Sequence, residues 1–191
     1  MRRQLFVLPF LLLSFGCVHA RVHIVEQALP NPFVGKTHFF FATPDYSNVI
    51  INDKALANWA SESGNEDAKD WEANHSDASR KFLERLVSKQ SGLQLNTSGQ
   101  PRPEDVIVET SVQRIKTGVF VFGVRETPTH VAVQFTVLGH DRQPLDIVQM
   151  SDLQGSNLAH PLFNQRLGDT MELLAEDALK YLAERTGTTT R

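Results

Sequence analysis

The chain of 191 residues has a single cysteine, at position 17, so no disulfide can brace it internally. Its fold must hold by core packing alone, and the roughly 170 residues after position 17 are enough for that. It also lacks a basic excess: 19 Lys and Arg stand against 22 Asp and Glu, with a formal net charge of −3. That balance, with no basic stripe, excludes nucleic acid as a partner. Long apolar runs are missing as well. The longest, around Leu5–Leu13, is interrupted by Pro9 and softened at Ser14, whereas a hydrocarbon core of about 30 Å calls for about twenty apolar residues in a helix.

Signatures of catalysis and cofactor binding are absent too. There is no helical HExxH and no serine in a GxSxG elbow. Gly35-Lys36-Thr37 has the ending of a phosphate-binding loop, but Pro30 stands where the leading glycine belongs. Seven histidines are spread along the chain, and no cysteine in the folded part joins them as a metal ligand. No metal and no cofactor is expected. His75, on an apolar helix stripe, reads as a satisfied half-buried histidine. Acidic residues from Glu66 to Glu72 read as a solvated helix face.

What is present begins with Arg2 and Arg3, followed by the short apolar run and then by small residues, the pattern of an export signal. Leu13-Ser14-Phe15-Gly16-Cys17 resembles the lipobox of bacterial lipoproteins, with Ser14 and Phe15 replacing the residues usual there. The resemblance implies that Cys17 receives a diacylglycerol, that the signal is cut before it, and that its new amino terminus gains an acyl chain of the palmitate kind. Such multiple chains make an essentially irreversible anchor, at about 0.8 kcal/mol per buried methylene. By the same resemblance, Val18 rather than aspartate after the cysteine points to the outer membrane. The competing cleavage point is Val18-His19-Ala20, which would release a soluble periplasmic or secreted protein from Arg21. Either cut removes Arg2 and Arg3, leaving 17 of the 19 basic residues and a net charge near −5.

The rest reads as one domain. Residues 1–16 (or 1–20) are the signal, 17–35 a tether or loop containing a short strand around Val22–Val25, 36–187 a single α+β domain, and 188–191 a loose tail. His38–Phe41 is a continuous apolar strand, and Tyr46–Ile51 is an extended piece closed by Asn52-Asp53. Ala68, Trp71, His75, Ala78, Phe82 and Leu86 recur at helical spacing, which predicts a helix over 65–90 with Asn65 as N-cap and Gly92 beyond its end. Val106, Val108, Thr110 and Val112 alternate with polar residues, as do Val131, Val133, Phe135 and Val137. Gly139–Arg142 turns the chain into a third strand over Leu145–Met150. Pro161 opens a last helix, striped by Phe163, Leu167, Met171, Leu174, Ala178 and Leu182, and Gly187 ends it.

The order strand–helix–strand–strand–strand–helix predicts a two-layer α+β sandwich: one mainly antiparallel sheet of about four strands with two helices on one face. Over residues 36–186 this arrangement is similar to the small α/β domains of several bacterial envelope lipoprotein families without assigned function.

One stretch stands out. Val119-Phe120-Val121-Phe122 lies between Gly118 and Gly123. It either extends a neighbouring strand with both phenylalanines in the core, or presents Phe120 or Phe122 to an envelope protein or a bilayer. The leading expectation is a non-enzymatic, lipid-anchored module that faces the periplasm and binds or assembles with other envelope components. The alternative is a soluble hydrolase or ligand-binding protein, with His130, His140, Asp141 and His160 gathered into a pocket.

Overall fold

A computed structural model describes residues 21–188 except 63, 90–91, 122–124, 140 and 156–160. The leader, Cys17, Phe122, His140, His160 and most of the expected tail lie outside the described residues. In chain order the elements are β1 Arg21–Gln27, β2 His38–Phe41, β3 Ile50–Ile51, β4 Lys54–Ala55, α1 Leu56–Ala60, α2 Glu66–Lys69 and α3 Trp71–Ser88. They continue with β5 Gln94–Asn96, β6 Val106–Lys116, β7 Val119–Val121, β8 Arg125–Thr127, β9 Thr129–Leu138, β10 Pro144–Gln154 and α4 Phe163–Thr186.

The expected α+β class holds, with helices packed on an open sheet. Among the described residues that sheet has eight strands rather than about four, in the order β1-β10-β9-β6-β2-β5, with β3 on β6 and β4 on β3. Its long strands β1, β10, β9 and β6 pair antiparallel, while β2 joins β5 and β6 in parallel. Of the four further strands, β1 has seven residues where the sequence implied only a short strand within the tether, while β3 and β4 have two residues each and β5 has three. The short ones are too brief to show a period of two. β3 forms on the long β6, whereas β4 pairs with β3 and β5 with β2, so each depends on a partner outside its own pattern.

The long strands follow their sequence pattern. Val131, Val133, Phe135 and Val137 are all buried. In β6 the alternation holds through Val112, and an irregularity before Arg114 then shifts it by one, burying Ile115 and leaving Arg114 outside. The buried face carries α3 and α4, which pack on each other. Phe82 of α3 stacks on Phe135 at 6.1 Å between centroids and meets Phe41 edge-on at 6.3 Å. Lys81 to Asp169 at 3.2 Å, and Arg85 to Glu176, tie the two helices together.

The whole predicted stripe of α4 is buried, and Gly187 takes the left-handed conformation (φ 74°) that closes the helix. The helix predicted over 65–90 is two helices. Asn65 caps α2 through Ala68 N at 3.3 Å, and Asp70, at φ −100° and ψ 13°, then breaks the run. Trp71 turns onto Trp59 (5.5 Å) and Tyr46 (5.8 Å), so aromatic packing overrides the helical periodicity. His75 stands beside the rings of Tyr46 and Trp71, with Nε2 3.0 Å from Glu72 Oε2.

Candidate functional site

The register of the long strands locates Arg21, the first described residue after the segment read as a leader. Arg21 lies opposite Ser151, Ser151 opposite Ala132, and Ala132 opposite Arg114. That row lies near the sheet end at which β6 stops, β9 starts and β10 stops. Cys17 is four positions upstream of Arg21, a reach of at most about 14 Å when extended. Residues 21–35, read as tether or loop, hold β1 and a packed stretch. Phe33 is buried, Asn31 Nδ2 donates to Arg185 O at 2.7 Å, and Ala28 N donates to Asp146 Oδ1 at 2.9 Å.

From the leader end rises a hairpin. β7 and β8 pair with each other, Phe120 opposite Glu126, and among the described residues with no strand of the main sheet. The segment therefore does not extend β6 or β9, as one reading of the sequence expected. Its departure is forced at Gly118, which has φ 67° and whose missing Cβ would stand 2.5 Å from Thr127 O. Only glycine combines that dihedral with that close approach. Val119 and Val121 are 39% and 47% exposed.

The base of the hairpin is firmly mounted. Thr129 Oγ1 donates to Thr117 O at 2.7 Å across the two strands that flank it. Asn52, in the β3–β4 turn, accepts from Thr117 N at 3.1 Å and donates to Thr117 Oγ1 at 3.0 Å. Arg166 of α4, 3% exposed, sends Nε to Thr129 Oγ1 (2.9 Å), one terminal nitrogen to Thr117 O (3.1 Å) and the other to Pro161 O (2.5 Å). Burial lowers the pKa of Arg166, and Asp67 works in the opposite direction. Sequence reading passed over Arg166. The available signal was an arginine three positions after Phe163, close to the apolar stripe.

Of the residues proposed for a polar pocket, the two that are described, His130 and Asp141, do not come together. His130 sits near the start of β9, whereas Asp141 lies in the turn after its end, a separation of about 30 Å along the strand. His130 instead lines a different concavity of about 450 Å³ on the open sheet face, with His23, Gln113, Arg114, Gln149 and Ser151. Among the described residues, no group of three or more His, Cys, Asp or Glu is placed to hold a metal ion. No described helix is long and apolar enough to cross a membrane.

No family model matches the chain, and no curated protein matches it. Solved structures of related shape include protein XCC0632 from Xanthomonas campestris, of the family DUF330, at 11% identity and TM-score 0.44, covering 85% of this chain and 95% of that one. The PelC dodecamer from Paraburkholderia phytofirmans is similar at 12% identity and TM-score 0.39, over 82% and 98% of the two chains. A PelC variant gives 10% identity, TM-score 0.40 and the same coverage.

Proposed function

We propose that this protein is a non-enzymatic envelope lipoprotein, held by lipid on Cys17 in the outer membrane, whose domain faces the periplasm and serves as an interaction or assembly module. One observation carries the reading: the sole cysteine closes a short apolar leader and precedes the first strand by only four residues. A structural thiol would be expected inside the fold, among core side chains. This one precedes the first strand in the chain, which is where the anchored reading needs it.

The test is the intact mass of the mature protein from fractionated native cells, beside a Cys17→Ala variant. The expected result is a wild-type chain starting at Cys17 with diacylglycerol and acyl mass, found in the membrane fraction, and no such species in the variant. An unmodified chain starting at Arg21 in the soluble fraction would overturn the anchor. The open-face concavity with His23 and His130 would then favour a soluble ligand-binding protein.

A further inference from the structure

The β7–β8 hairpin is the surface whose position and chemistry point furthest beyond anchoring itself. It leaves the leader end of the sheet, close to where Arg21 receives the chain from Cys17. Val119 and Val121 are turned to solvent there, on a mount built from Arg166, Thr117, Thr129 and Asn52. The two short strands bond to each other, which lowers the polar cost of entering an interfacial layer.

We propose that the hairpin rests against the lipid bilayer, with Val119 and Val121 in the headgroup layer. The sheet then stands with its leader end on the membrane and its opposite end turned away. This rests on the anchored reading above. It favours lipid over protein as the occupant because of reach. The tether of at most about 14 Å is shorter than β6, whose eleven residues span about 37 Å. A domain held so closely at that end keeps the hairpin at the surface. Two half-exposed valines would not bind a vesicle unaided. With the anchor supplying a high effective concentration, they suffice to select one orientation.

The chain from Cys17 onward contains every described residue and supplies the test. Its only thiol can be coupled to a maleimide lipid in phosphatidylethanolamine–phosphatidylglycerol vesicles, whether or not cells lipidate it. Two variants carry a reporter: Val121→Trp on the hairpin, and Val87→Trp at an exposed position near the end of α3, away from the leader end. Native Trp59 and Trp71 are buried and give a constant background.

Vesicles with doxyl-labelled lipid should quench most of the emission added by Val121→Trp and leave that added by Val87→Trp unchanged. Adding Val119→Asp to Val121→Trp should abolish the quenching at an unchanged melting temperature, which separates lipid contact from loss of fold. Quenching of both reporters alike, or of neither, would overturn the proposal. The thiol coupling is chemical, so the native mass measurement decides the anchored reading separately.

Discussion

The two ends of the sheet use one device for different purposes. At the leader end Arg166, near the start of α4, holds the carbonyls of Thr117 and Pro161 and the hydroxyl of Thr129. At the opposite end Arg185, near the finish of the same helix, grips Asp146, with Nε 2.7 Å and a terminal nitrogen 3.0 Å from its two carboxylate oxygens. Asp146 is completely buried, and it also accepts from Tyr181 Oη at 2.5 Å. Arg185 lies over the ring of Phe33 at 5.3 Å and bonds Ala28 O at 3.2 Å. The far end folds the segment after β1 down onto the core, whereas the leader end props a hairpin outward. A buried arginine can serve both ends because its planar fork satisfies several acceptors at once.

The largest effect should come from breaking the far end. Asp146→Ala leaves Arg185 buried without its carboxylate and should cost about 3–5 kcal/mol in urea or thermal unfolding. Next is the leader end, where Arg166→Met should cost about 2–3 kcal/mol through lost charged hydrogen bonds. Hydrogen exchange would sharpen the contrast. The Met variant should speed exchange in β7 and β8, and the Asp146 variant in β1 and the stretch after it.

Tyr181 distinguishes the ends by pH. Burial, aided by its bond to Asp146, raises its pKa from 10.0 to about 12. The folded state thus holds the phenolic proton more tightly than the unfolded one. The resulting stability is fully present below pH 10 and is lost as pH rises through about 12. Tyr181→Phe should therefore be less stable than wild type at neutral pH, with the gap narrowing in that alkaline window, as melts across pH would read. The smallest effect belongs to Val121→Ser. An exposed position should change stability by less than about 0.5 kcal/mol, even though it lies on the proposed contact surface.

The fold was legible wherever one element carries its own period. The stripe from Phe163 to Leu182, the alternation from Val131 to Val137 and the caps at Asn65 and Gly187 all stand as the residues imply. The break at Asp70 was not legible, because the packing of Trp71 against Trp59 comes from another element. The candidate site was half visible. Val119–Phe122 between two glycines was recognisably unusual, but its separation from β6 was not. Arg166 was invisible as its mount, since its partners Thr117 and Thr129 lie 49 and 37 positions away in the chain. Asp146 did carry a signal: it shares the inward parity of Val148 and Met150, where a charge must find a partner.

By itself, then, the sequence determined the α+β class and the inward faces of the long elements. These follow from composition and from repeats of two or 3.6 residues, which act over a few neighbouring positions. Tertiary structure alone decided the order of the eight described strands, the shift at Arg114, the two arginine clasps and the placing of the hairpin at the sheet end where β1 begins. Each depends on groups far apart in the chain meeting in space, where burial makes an unpaired charge or backbone group too costly to leave.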